Sequence, residues 1–142
     1  EGAPQPDLSS GEAVRRALLA ARAVAYSQGP SGVYLRGLFA KLGVADAVAA
    51  KAVQSEPGTP VARYLANGAA DLGFQQVSEL IHEPGITFLG PLPADIQNVT
   101  VFSSAILNRA ESPEAAAALQ VFLTDPTVDA VIRGHGMEPA RA

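Results

Sequence analysis

The sequence predicts an α/β fold, doubly wound about a mostly parallel sheet with helices on both faces. Three observations predict it. Helix and strand patterns alternate along the chain, which is the order of a sheet built from crossover units. The strand candidates are short and almost wholly apolar, as strands covered on both faces are. The composition, 48% hydrophobic and 17% charged over 142 residues, suits a chain with a buried core and not a disordered one.

The elements follow in order. The first eight residues, EGAPQPDL, are proline-rich, and residues 1–9 read as an arm or linker ahead of one lobe spanning 10–142. Ser9 or Ser10 is placed to cap a helix through GEAVRRALLAAR, with Val14, Leu18 and Ala21 on one face. Ala23–Ser27 reads as a buried strand. Leu35, Leu38, Phe39 and Leu42 then recur at helical spacing, and Gly43 ends that helix. Residues 45–51 suit one further turn. A second strand, Ala52–Ser55, leads to Pro57-Gly58-Thr59-Pro60, where Thr59 is an expected N-cap and Pro60 a first helical residue for VARYLANG. Asp71–Gln75 is a third strand, and QVSELI opens another helix. Ile86–Gly90 reads as a fourth strand, and Asn98–Leu107 as the longest extended segment, with Ser103 and Ser104 as strand residues. Ser112-Pro113 and Asp125-Pro126 each open a closing helix, the second ended by Gly134.

Composition removes several function classes. There is no cysteine, hence no disulfide, no thiolate nucleophile and few routes to a zinc site. The net charge is −4 and no basic cluster occurs, which speaks against nucleic acid as a partner. No apolar run approaches the roughly 20 residues of a membrane-spanning helix. His82 and His135 stand far apart with no metal-ligand spacing around them, so surface or capping roles are expected, with no metal and no cofactor. Ser103-Ser104 lacks a histidine partner and a nucleophile elbow. Nothing brings Asp71 and Glu79 together as an acid–base pair. The residues present no activated nucleophile, base or metal set, and the expectation is a binding protein, not an enzyme.

What remains is the carboxyl edge of the sheet. In an open parallel sheet every strand ends on the same edge, and ligands bind there. Three strand-to-helix junctions, Ser27–Gly32, Ser55–Thr59 and Gln75–Ser78, are expected on it. Each leads into a helix start, which carries about +0.5 charge and unpaired N–H groups suited to an anion. The side chains on offer, Ser27, Gln28, Ser31, Ser55, Thr59, Gln75, Gln76 and Ser78, are uncharged hydrogen-bonding groups. None of the junctions contains Lys or Arg, so a phosphate clamp with a P-loop lysine is absent. Every α/β domain has such junctions, and any one of them alone is more often a cap or turn than a site. The candidate site therefore rests on their convergence: Ser27, Gln28, Ser31, Gly32, Gly58, Thr59, Gln75 and Gln76.

Four segments also carry a family resemblance: AYSQGPSGVYLRGLFAKLG, GTPVARYLANGAADLGFQQVSELI, GITFLGPLPADIQNVTVFSSAIL and SPEAAAALQVFLTDPTVDAVIRGHGMEPA. In this order they resemble type II periplasmic solute-binding proteins of ABC transporters, in the branch similar to the molybdate-binding component. The resemblance runs from about Ser10 onward. It implies a clamshell of two α/β lobes with the ligand between them. This chain resembles the second lobe and the C-terminal return, with no counterpart of the N-terminal lobe, hence a fragment of a two-lobe protein. It further implies a backbone amide contact near Ser31, a second at the Gly58–Thr59 helix start, and a third at Gln76, where the molybdate-binding relatives have a tyrosine. Gln76 can donate and accept, so the implied ligand widens from an oxyanion such as molybdate to a small organic acid or another small polar solute.

The function that follows is the periplasmic, extracytoplasmic solute-binding component of an ABC importer, with the transporter permease as partner. A homodimer or a domain swap of the lobe is a further expectation, since a missing half leaves apolar surface. The alternative is the effector-sensing domain of a transcription regulator with the same fold, which an upstream helix-turn-helix would reveal.

Overall fold

A computed structural model describes residues 4–140; the outermost residues of the expected N-terminal arm, 1–3, and the final two, 141–142, lie outside the described residues. The chain divides into two compact units, Glu1–Asn98 and Val99–Ala142.

In the first unit, α1 (Gly11–Ala20) is capped by Ser10, whose hydroxyl accepts the Ala13 N–H at 3.2 Å. The helix stops two residues short of its expected end, because Arg22 and Ala23 turn their N–H groups onto Asp71. Strand β1 (Val24–Tyr26) follows, then α2 (Pro30–Lys41), α3 (Ala45–Ala49), β2 (Ala52–Gln54), α4 (Val61–Ala66) and β3 (Leu72–Phe74). Both β2 and β3 pair parallel with β1, in the order β2-β1-β3; Tyr26 lies opposite Gln54 on one side and Phe74 on the other.

The core explains why β1 is apolar throughout. Its alternate residues feed opposite faces of the sheet. Val24 and Tyr26 join Val14, Leu18, Leu35, Leu38, Phe39, Val44 and Val48 under α1, α2 and α3. Ala23 and Ala25 join Val61 and Ala70 under α4, with Val53, Tyr64 and Leu65 alongside. Small residues on that second face let α4 sit close: a Cβ on Gly73 would come within 2.8 Å of Leu65. Phe39 meets Tyr26 and Phe74 edge-on, with ring centroids 5.5 and 6.4 Å apart, a favoured aromatic geometry. The expected α/β class, with a parallel sheet covered on both faces, is what the first unit has.

Several expected elements differ. Thr59 does not cap α4. The cap position is Pro60, and the N–H of Val61 is taken instead by the Gln75 side chain. QVSELI forms only a short 3-10 turn, Val77–Glu79, because Gln76 and Val77 carbonyls accept from residues three ahead. Residues 86–90 form no strand; the fourth-strand expectation fails because no neighbouring strand pairs with them among the described residues. Leu92 and Ile96 instead pack onto the first core.

Residues 98–107, nearly all in the second unit, form no strand either, for the same want of a ladder partner among the described residues, and Ser104 is not a strand residue but accepts a hydrogen bond from Gln120 at 2.9 Å. There α5 (Pro113–Leu123) starts after Ser112. Asp125 caps a 3-10 turn, Pro126–Val128, by accepting the Thr127 N–H at 2.8 Å, and α6 (Asp129–Gly134) follows. Neither α5 nor α6 buries a residue.

Candidate functional site

Because all three strands are parallel, the chain leaves β1 at Ser27, β2 at Ser55 and β3 at Gln75 on one edge of the sheet. Strand order reverses direction at β1, whose neighbours on either side are reached by crossovers in opposite senses. The crevice between the carboxyl ends of β1 and β3 is therefore the topological switch point, where open α/β sheets take their ligands.

On the β1 side, the Ser27 and Ser31 hydroxyls lie 2.9 Å apart and hydrogen-bond each other. The turn is tight. A Cβ on Gly32 would fall 1.7 Å from the Ser27 carbonyl oxygen, so the first turn of α2 lies directly on the strand's exit and only glycine fits. Gly29 occupies the cap position with no side-chain cap, and Pro30 begins the helix. The N–H groups of Ser31 and Gly32 thus have no intrahelical acceptor. Gln28 is exposed beside them. This start belongs to a twelve-residue helix, whose dipole adds positive potential at the same place.

The β2 side is more occupied. Ser55 is buried, and its N–H donates to the Tyr26 carbonyl. Gly58, at φ +79°, makes the turn in which the Thr59 N–H donates to the Glu56 carbonyl at 3.0 Å. The Tyr64 hydroxyl accepts the Glu56 N–H at 3.2 Å. On the β3 side, Gln75 Oε1 accepts the Val61 N–H at 2.9 Å, so this side chain caps the short α4. Gln76 is half-buried, its carbonyl closing the 3-10 turn.

The predicted residues therefore fall into two groups. Ser27, Gln28, Ser31 and Gly32 follow β1 and Gln76 follows β3, two adjacent strands, at the carboxyl edge of the sheet. Gly58, Thr59 and Gln75 reach the same edge, but the Thr59 amide and the Gln75 oxygen are already spent on the α4 start. Sequence reading missed Tyr64, Tyr34 and Tyr26. Tyr26 Oη receives Gln54 at 3.5 Å, and Tyr34 hydrogen-bonds the Ile96 carbonyl. Three tyrosines, one on β1 and one each on α2 and α4 near their starts, were the available signal.

The opposite, amino edge is built differently. Asp71 accepts the N–H groups of Arg22 and Ala23, each at 2.9 Å. Arg22 donates to the Gly68 carbonyl, and Lys51 to the carbonyls of Leu19 and Ala21. Burial pushes the Asp71 carboxyl up, but the N–H donors of Ala23, Arg22 and Asp71 itself, with the Arg22 charge, outweigh it and hold the group below its ordinary value. Charges at that edge serve the fold. No group of three or more potential metal ligands occurs among the described residues. A separate cleft of about 480 Å³ opens between residues 5–9 and 87–91, and none of the three junction loops lines it.

Comparison with known proteins supplies the rest. Aconitate isomerase from Pseudomonas sp is 41% identical over 143 residues, covering 100% of this chain and 54% of that protein. The molybdate-binding protein ModA of Azotobacter vinelandii is 28% identical over 109 residues, 75% of this chain and 43% of its own length. The chain spans about half the length of the curated relatives it matches. No solved structure matches it significantly. The isomerase corrects one expectation: a relative similar along the whole chain carries an enzyme's name, so the lack of a recognisable nucleophile, base or metal set does not separate this chain from enzymes. The physical reason is that a proton-transfer base need be no more than one ordinary carboxylate, histidine or tyrosine, which no spacing announces. The family model described as bacterial extracellular solute-binding protein matches residues 1–138, which implies a small-molecule ligand and an extracytoplasmic location, and the chain belongs to that family.

Proposed function

We propose that this chain forms the ligand-gripping lobe of a periplasmic protein that holds a small polycarboxylate of the aconitate kind at the crevice between β1 and β3. The observation that carries the reading is the uncapped start of α2, where the Ser31 and Gly32 amides lack an intrahelical acceptor beside the bonded Ser27 and Ser31 hydroxyls; in this reading Gln28, and Gln76 at the exit of β3, add side-chain donors on the same sheet edge. Carboxylate oxygens accept N–H and O–H donors, and a helix dipole favours negative charge without a salt bridge. In this reading Gly58, Thr59 and Gln75 shape the neighbouring turn and hold α4 in place. The 41% identity to an aconitate isomerase supports the substrate class, and the intact protein would interconvert the isomers it binds.

A second reading is supported by the ModA relative: the same edge holds an oxyanion such as molybdate and delivers it to an ABC transporter permease. Calorimetry with cis-aconitate, trans-aconitate and molybdate on the full-length protein separates the two, with NMR following the aconitate isomers over time. Aconitate binding with interconversion is the expected result. Binding without interconversion, or of molybdate alone, favours transport, and binding of none of the three sinks the site. Gln76→Ala should weaken the aconitate complex about tenfold, the loss of one hydrogen bond to a charged group, while leaving the melting temperature unchanged. Unaltered affinity removes Gln76 from the site.

A further inference from the structure

We propose that Tyr34 ties occupancy of the Ser27–Ser31 loop to Asp95–Asn98, the segment by which the chain leaves its first compact unit; this rests on the reading that the loop takes a ligand. The loop and the first turn of α2 are one mechanical piece. Gly32 lies against the Ser27 carbonyl with no room for a side-chain carbon between them, and the Ser27 and Ser31 hydroxyls are bonded at 2.9 Å. Ser31 and Tyr34 are three residues apart and share a helix face. Tyr34 is half-buried against the first core, and its hydroxyl donates to the Ile96 carbonyl.

Ile96 is in turn the anchor of the departing segment. The residue is 6% exposed within the same core, and its N–H donates to the Pro93 carbonyl at 2.9 Å. Beside it the Asp95 carboxylate accepts the Gly11 N–H at the start of α1, at 3.3 Å. Two residues later Asn98 ends the unit. A ligand that draws the Ser31 and Gly32 amides toward itself acts on the departing segment through one phenolic hydroxyl. Tyr34 is accordingly a positioning residue that does not itself touch the ligand.

The test is amide hydrogen exchange at Ile96–Asn98 in the full-length protein, with and without trans-aconitate, in the wild type and in Tyr34→Phe, which removes only the hydroxyl. Bound trans-aconitate should slow exchange at Ile96 by about threefold or more in the wild type and leave it unchanged in Tyr34→Phe, with the variant still binding by calorimetry. A purely structural tyrosine would raise exchange equally in free and bound protein and leave the ligand-dependent difference intact, which overturns the proposal. So does a wild type whose Ile96 amide ignores the bound probe. If trans-aconitate does not bind, the functional reading fails separately, and a ligand-free arm decides. The Ser27→Ala, Ser31→Ala pair, which loosens the loop, should speed Ile96 exchange when Tyr34 is present and have no effect in Tyr34→Phe. Equal effects in both backgrounds, or none in either, overturn the coupling.

Discussion

Gly32 is the residue on which the candidate loop depends most directly. Its missing Cβ is a requirement of space, since that atom would lie 1.7 Å from the Ser27 carbonyl oxygen. Gly32→Ala must push α2 away from β1, and strain of this kind costs about 1–3 kcal/mol. Urea unfolding should show a lowered midpoint with an unchanged slope; a midpoint equal to the wild type's would mean the contact relaxes freely. The neighbouring serines were recognisable in the sequence because a strand-to-helix junction is a local pattern. Gln75 was not, in its true role. Its partner Val61 is fourteen residues earlier, and only the folded backbone brings the side chain to that helix start.

At the level of elements, α1 and α4 begin by different means. Ser10 caps α1 from within its own sequence, as the spacing predicts. The start of α4 borrows its cap from the end of β3, while Thr59 turns its amide back to Glu56. Gln75→Ala should therefore cost about 1 kcal/mol through the unpaired Val61 N–H, read as a drop in the urea midpoint, and Gln75→Glu should recover most of it. Equal stability of Gln75→Ala and the wild type would show the cap to be idle. The segments 86–90 and 98–107 teach a related point. Their apolar, β-branched character reads as strand, but a strand exists only where another supplies its ladder. Within the second unit Val99, Val101, Phe102 and Leu107 remain exposed.

Across the first unit the two edges of the sheet divide the work. At the amino edge Asp71, Arg22 and Lys51 sew strands to helices, while the carboxyl edge keeps donors at the α2 start uncommitted. Asp71 gives that division a pH dependence. Its carboxyl is held below its ordinary value in the fold, so its contribution is fully present above the unfolded value and is lost as pH falls through the folded one. Asp71→Asn should flatten the acid limb of stability against pH below about 4, while changing little in the slope near neutrality. An acid limb as steep as the wild type's would assign it to other carboxylates. Asp7, also held low, chiefly by the Ser9 N–H, is exposed and not expected to matter to the fold.

By itself the sequence determined the α/β class, the apolar segments from which strands are drawn, the helices that follow the first of them and the strand-to-helix junctions. Each of these is written in local periodicity, in caps and in breaks, which neighbouring residues settle among themselves. Only the tertiary structure decided the order β2-β1-β3, which of the three junctions keeps free donors, and which apolar segments become strands. Those outcomes depend on partners distant along the chain, such as Gln75 with Val61, Asp71 with Arg22 and Tyr34 with Ile96, and no local pattern records who meets whom.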